Sequence, residues 1–144
     1  MKKVFLVLFL ALLCIGCNSD DDNSLCVPPP NYKVVNIVDK TTGENVFSNE
    51  TFTKNQLQII SNPSNLFPFT FNDDLGNDVF TIVPINTNTT VQFSIVLNNE
   101  INIPLTAEII VDNSCGTVYY FERIISDDPS FVIENGQDIL VIKI

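Results

Sequence analysis

Apolar and polar residues alternate along the chain from residue 31 onward, with the two-residue period of β-strands. The alternating segments are rich in Val, Ile, Thr, Phe and Tyr, and short turns containing Gly, Pro, Asn or Asp separate them. Nine strands are predicted: Tyr32–Val38, Gln56–Ile60, Phe67–Phe71, Val79–Val83, Thr90–Leu97, Ile101–Val111, Thr117–Ile125, Phe131–Ile133 and Ile139–Ile144. Short strands at this spacing predict an all-β domain, a two-sheet antiparallel β-sandwich over residues 31–144.

One hairpin can be placed in register from the pattern alone. Apolar residues occupy the odd positions from Val91 to Leu97 and again from Ile101 to Val111, and both sets must face the core. A three-residue loop at positions 98–100 meets this requirement. The predicted pairs are Leu97 with Ile101, Ile95 with Ile103, and Phe93 with Leu105. Pro104 has no N–H, so the second strand should have an open edge or a bulge there.

The last strand, Ile139–Ile144, is apolar on both faces. That composition is more typical of a central strand covered on both sides than of an edge strand. The strand is therefore predicted to be part of the core.

The beginning of the chain has a different pattern. Met1-Lys2-Lys3 precedes an unbroken apolar run, Val4–Ile15, and the small residue Gly16 follows it. The run is well short of the ~20 residues that span a bilayer as a helix. It predicts a secretion signal, with a transmembrane anchor as the weaker alternative.

The Gly16-Cys17 pair resembles the lipobox of bacterial lipoproteins, in which the signal peptide is removed before a cysteine that receives acyl chains. Cys14 stands where the usual box has Leu. The resemblance implies removal of residues 1–16, lipidation of Cys17, and attachment to a membrane through its acyl chains. Ordinary cleavage that leaves Cys17 as a free thiol is the alternative.

The stretch Asn18–Asn23, which contains three consecutive aspartates, resembles the acidic export signal of Bacteroidota surface lipoproteins. The resemblance implies an outer-membrane location facing outward; a periplasmic orientation and a plain solvated linker are the alternatives. The mature chain as a whole is similar to small lipoproteins of that phylum, which implies no activity.

Charge excludes nucleic acid as a partner. Removing residues 1–16 takes two of the seven basic residues and none of the seventeen acidic ones, so the net charge changes from −10 to −12. Phosphate binding requires clustered Lys and Arg, which this chain does not have.

With Cys14 removed and Cys17 modified, Cys26 and Cys115 remain as a pair in an oxidising compartment. We expect a disulfide between them. A redox pair or a metal site is the alternative, although the chain has neither Cys-x-x-Cys spacing nor any histidine.

Residues 17–30 are predicted to be a lipidated, acidic and proline-rich tether, because Pro28-Pro29-Pro30 favours extended polyproline II backbone. If Cys26 is fixed to the domain, only residues 18–25 are free. They reach about 25 Å, which keeps the domain close to the membrane.

The segment Asp39–Glu44 resembles the D-x-x-T-G-E turn of transthyretin-like and carboxypeptidase-regulatory-like sandwiches, which are common in Bacteroidota surface proteins. It implies a transthyretin-like sandwich without a catalytic group; an immunoglobulin-like sandwich is the alternative. An ordinary hairpin with a Gly-containing turn accounts for the same residues.

The candidate chemistry is sparse. The absence of histidine excludes Ser-His-Asp and Cys-His catalysis, and the five glycines form no phosphate-binding loop. We predict no catalytic residue and no cofactor. Asp73, Asp74 and Asp78 are weak candidates for Ca²⁺ ligands, but their order does not fit an EF-hand loop, and a plain acidic turn is the alternative.

Tyr119-Tyr120-Phe121 is the aromatic cluster of the chain. Adjacent strand residues point to opposite faces, so Tyr119 and Phe121 share one face and Tyr120 takes the other. We expect one face to be core and the tyrosine on the other face to be partly exposed; a surface at Tyr119 or Tyr120 that binds a protein or a sugar is the functional alternative. The predicted function is a lipid-anchored cell-surface module with a binding or accessory role. A structural subunit of an outer-membrane complex is second, and an enzyme is last.

Overall fold

Two β-sheets make up the computed structural model, which describes residues 26–28, 30–61, 67–71, 73–75, 78–85, 87 and 89–144. The strands are β1 (Lys33–Val38), β2 (Leu57–Ser61), β3 (Phe69–Phe71), β4 (Phe80–Ile82), β5 (Thr90–Leu97), β6 (Ile101–Asp112), β7 (Val118–Ile125), β8 (Val132–Asn135) and β9 (Ile139–Lys143). Two short 3-10 helices span Lys54–Gln56 and Asp73–Leu75. Each predicted strand is present, with its ends shifted by at most two residues.

The first sheet has the strand order β3-β4-β1-β9-β8, and the second has the order β2-β5-β6-β7. Their inward-facing residues form one core. Its largest fully buried side chains are Phe67, Phe80, Ile37, Ile59, Ile82, Ile95, Leu97, Ile103, Ile109, Ile124, Leu140 and Ile142. The two-sheet β-sandwich is therefore confirmed.

One strand pair departs from the antiparallel arrangement. Strands β1 and β9 are parallel, with Val34 opposite Ile139 and Val38 opposite Lys143. These strands come from opposite ends of the domain, so no tight turn sets their relative direction.

The predicted β5–β6 hairpin is confirmed in register, including the pairing of Leu97 with Ile101. Asn98 and Asn99 both have positive φ, and the N–H of Glu100 donates to the carbonyl of Leu97 at 3.0 Å. The loop therefore closes because two asparagines tolerate the left-handed region.

Pro104 lies opposite Ser94 of β5, while β7 pairs with β6 only from Thr106 onward. The edge of β6 at Pro104 is thus not covered by β7, and the open-edge alternative is correct. The bulge in this sheet lies farther along, between Glu108 and Ile109.

Strand β9 is central, as predicted, since it pairs with β1 on one side and β8 on the other. Leu140 and Ile142 are fully buried. The prediction that both faces are covered is wrong at Ile139, which is 41% exposed. Its side chain lies on the outer face of the first sheet, on which none of the named strands packs.

The turn after β1 is held by Asp39, whose Oδ1 accepts hydrogen bonds from the N–H groups of Thr41 and Thr42, both at 2.7 Å. Gly43 has a φ of 75°, which favours glycine. Beyond the turn, Asn45 forms only a single bridge with Val38. The return strand that a hairpin requires is reduced to that bridge, because Asn45 Oδ1 already starts another turn by accepting hydrogen bonds from two following N–H groups.

The predicted signal peptide, Cys17 and the acidic stretch lie outside the described residues. In the described ranges, no helix is long and apolar enough to cross a membrane.

Candidate functional site

A disulfide joins Cys26 to Cys115, with their Cα atoms 5.4 Å apart. Cys115 lies in the turn before β7, whereas the chain after Tyr32 enters β1, where the N–H of Val34 donates to the carbonyl of Asp138 at 2.9 Å. The described residues from Cys26 to Tyr32, which we call the strap, therefore connect the second sheet to the first.

A groove of about 570 Å³ lies between the strap, β7 and the β8–β9 turn. Its lining residues are Pro30, Tyr32 and Lys33; Ile110, Tyr120, Phe121 and Glu122; and Asn135, Gly136, Gln137 and Asp138. The volume is within the ~300–1,000 Å³ typical of ligand sites, and aromatic and polar side chains converge on it. It is the candidate functional site.

Lys33 fixes one wall of the groove. It occupies an inward-facing position of β1 and is only 6% exposed. Its ammonium donates to the carbonyl of Gly136 at 2.8 Å and to the carbonyl of Gln137. Burial lowers the pKa of Lys33, and the nearby Asp138 carboxylate partly opposes that shift. This role could not be predicted from the sequence, because a lysine at the start of a strand is usually solvated.

Asn135 closes one end of the groove. Its side-chain amide accepts a hydrogen bond from the N–H of Ile124 at 3.0 Å and donates one to the carbonyl of Ile124 at 2.7 Å. Asn135 is in β8 and Ile124 is in β7, so one side chain joins the edges of the two sheets. The Asn-Gly pair at 135–136 predicts a turn, and a turn is present, but the contact with β7 could not be inferred from it.

The two candidate tyrosines lie on opposite faces of β7, as predicted. Tyr119 packs against the core, and Tyr120 lines the groove with its cross-strand neighbour Ile110. The structure therefore places Tyr120, and not Tyr119, at the candidate site. Tyr32, 39% exposed, is a second tyrosine there that the sequence did not single out.

The bulge in β7 places a carboxylate in the groove. Glu108 pairs with Arg123 and Ile109 pairs with Phe121, which leaves Glu122 as the extra residue. Phe121 and Ile124 are both buried although they are three positions apart, an arrangement that regular alternation does not allow. Glu122 is exposed and lines the groove.

Of the three candidate calcium ligands, Asp78 has described side-chain contacts, whereas the side chain of Asp73 lies outside the described part of the chain. Asp78 Oδ1 lies 3.0 Å from Lys54 Nζ, and Ser48 Oγ donates to Asp78 Oδ2 at 3.0 Å. These contacts with Lys54 and Ser48 lower the pKa of Asp78. No group of three potential metal ligands is found among the described residues. Asn72 and Asn77, which flank this turn, lie outside them.

Comparison with protein-family models, curated proteins and solved structures finds no match for the chain. The function has to be inferred from the chemistry of the groove and from the sequence signals that precede the domain.

Proposed function

We propose that the protein is a lipid-anchored module of the outer cell surface that binds a partner in the groove beside β7, and that its role is binding and not catalysis. The observation that carries the proposal is the groove itself. It brings together Tyr32, Tyr120 and the carboxylates of Glu122 and Asp138, which are far apart in the sequence.

Three local contacts make the groove suitable for binding. The disulfide holds one end of the strap, Lys33 holds the β8–β9 turn, and Asn135 joins that side to β7. Walls that are fixed before a partner arrives reduce the entropy lost on binding. These contacts therefore favour a preformed site.

The location is proposed from the N-terminal sequence and supported by the disulfide. Gly16-Cys17 has the form of a lipobox, and a structural disulfide is typical of exported domains. Because the strap is pinned at Cys26, a tether of residues 18–25 reaches about 25 Å, and the groove stays near the membrane surface.

The test is co-purification of the native protein from membranes with its partner. Gln137→Trp should fill the groove and lose the partner, because Gln137 lines it while holding Lys33 through its backbone carbonyl. Gln58→Trp is the matched control, since Gln58 is exposed on β2 and is not a lining residue. Equal recovery of the partner by both variants would show that the groove is not the binding site.

One observation favours assembly into a larger complex as the second candidate. The edge of β6 at 101–105, with which β7 does not pair, adjoins a depression of about 340 Å³ lined in part by Pro104, Thr106 and Asp127. An open edge can accept a strand from another protein. Loss of the partner from Asn102→Lys but not from Gln137→Trp would favour this function, because a lysine on an edge opposes strand addition.

A further inference from the structure

The geometry points to the chemical class of the partner: we propose that the groove receives a Lys or Arg side chain carried by an extended segment of a partner protein. This inference rests on the proposed function, in which the groove is the binding site. Charge, aromatic rings and the strand edge each support it independently.

The first support is the charge that the groove presents. Glu122 and Asp138 are exposed, whereas Lys33, the one basic residue among the described lining residues, is buried and donates to two carbonyls. The neighbouring Arg123 does not line the groove, and its guanidinium is 2.6 Å from Glu108. The surface available to a ligand is therefore negative.

The second support is aromatic. Tyr32 is 39% exposed and Tyr120 is half-buried, and both line the same groove. The face of a tyrosine ring attracts an ammonium or guanidinium group. Two rings beside two carboxylates favour a cation over an anion or a purely apolar group.

The third support explains why the cation should come on an extended segment. Strand β7 is the last strand of the second sheet, and its far edge is paired with no other strand in the described part of the chain. The side chain of Asn135 is hydrogen-bonded to this edge at Ile124, and Tyr120 and Glu122 lie farther along β7. A peptide running beside an edge strand can form main-chain hydrogen bonds with it. The acidic domain as a whole adds long-range attraction for a basic segment.

The test uses the full chain, purified in detergent, and three probes: a fluorescent octapeptide of alternating Lys and Thr, the same peptide with Glu for Lys, and maltohexaose. We expect the Lys peptide alone to bind, and its affinity to fall as salt is added. Glu122→Gln and Asp138→Asn should each weaken binding by up to about fivefold, as expected for partly solvated ion pairs. Thermal melts of each variant would verify folding.

Glu44→Gln is the matched control, since it removes the same charge from an exposed residue at the opposite end of β1. If Glu44→Gln weakens binding as much as the groove variants do, or if the Glu peptide binds equally well, the attraction is unspecific and the inference fails. No binding of the Lys peptide also overturns it. If maltohexaose binds, Gln137→Trp abolishes that binding, and the Lys peptide does not bind, the inference about ligand class is wrong while the groove remains a binding site. A different result contradicts the proposed function: co-purification of the native partner with Gln137→Trp.

Discussion

The side-chain amide of Asn135 donates to the carbonyl of Ile124 at 2.7 Å and accepts from its N–H at 3.0 Å. A primary amide has one acceptor oxygen and an N–H₂ donor, so it offers Ile124 the same pair of groups as the backbone of a neighbouring strand. One side chain of β8 thereby satisfies the backbone N–H and carbonyl of one residue of β7, across the gap between the two sheets.

Asn135→Asp should destabilise the domain by about 1–3 kcal/mol at neutral pH, because a carboxylate cannot donate to the Ile124 carbonyl and leaves two acceptors facing each other. Part of the loss should be recovered in acid, where the new carboxyl is protonated and can donate. Urea unfolding at pH 7 and pH 4 measures both effects. Asn113→Asp, in the exposed turn before β7, is the control and should change stability little. Equal effects of the two substitutions would show that the amide contact contributes nothing.

Replacing both Cys26 and Cys115 by Ser should lower stability, because the bridge closes a long loop of the unfolded chain. The chain-entropy model gives roughly 4–5 kcal/mol for a loop of this length, and measured values are usually smaller. Peptide mapping without reductant should recover the two cysteines in one linked species. Rapid alkylation of both in the unfolded, unreduced protein would contradict the bridge.

The two faces of β9 should respond differently to truncation. Leu140→Ala should cost about 2–5 kcal/mol, since Leu140 is fully buried. Ile139→Ala, at the neighbouring exposed position, should cost about 1 kcal/mol or less. Deleting residues 139–144 should abolish cooperative unfolding, whereas deleting Ser19–Asn23 should leave the melting curve unchanged. A cooperative melt near the parent temperature after the first deletion would place β9 outside the core.

Stability in acid should depend on Asp39. Hydrogen bonds from the N–H groups of Thr42 and Thr41 lower the pKa of this carboxyl below the unfolded value of 3.8. The stabilisation is therefore complete above pH 3.8 and is lost as the pH falls through the lower, folded-state pKa. Asp39→Asn keeps an acceptor but does not titrate, so unfolding in urea should show a shallower loss of stability between pH 4 and pH 2. An identical acid profile in the parent and the variant would refute this assignment.

Intact-mass analysis of membrane-extracted protein should give residues 17–144 plus acyl chains on Cys17, because Gly16-Cys17 has the form of a lipobox. Cys17→Ser should release the domain from membranes without changing its melting temperature. A free amino terminus at another residue, or a soluble parent protein, would contradict lipidation.

The strands and the β5–β6 register could be predicted because each depends on local pattern. Alternation at Phe93, Ile95 and Leu97 allows only partner registers that differ by two residues, and the short loop selects one of them. The parallel β1–β9 pair could not be predicted, since periodicity fixes which face of a strand is buried and not which distant strand lies beside it.

The candidate site was only partly predictable for a similar reason. The aromatic cluster indicated Tyr120 because side-chain alternation is local. Tyr32, Lys33 and Asn135 became visible only in the fold, because their roles depend on the strap and the β8–β9 turn meeting β7. The bulge at Glu122 could not be predicted from the alternation either, since one extra residue reverses the alternation beyond it.

The Cys26–Cys115 bridge also bears on how quickly the sandwich can assemble. Without the bridge, pairing Val34 with Ile139 must close a loop of about 105 residues; with it, the path from Val34 back to Cys26 and from Cys115 on to Ile139 is about 32 residues. That shortening lowers the closure cost by about 1 kcal/mol. The oxidised chain should therefore refold several-fold faster than the reduced chain when β1–β9 pairing limits the rate, and stopped-flow refolding of the two forms measures the ratio. Export to an oxidising compartment would then supply the domain with a kinetic advantage as well as a crosslink.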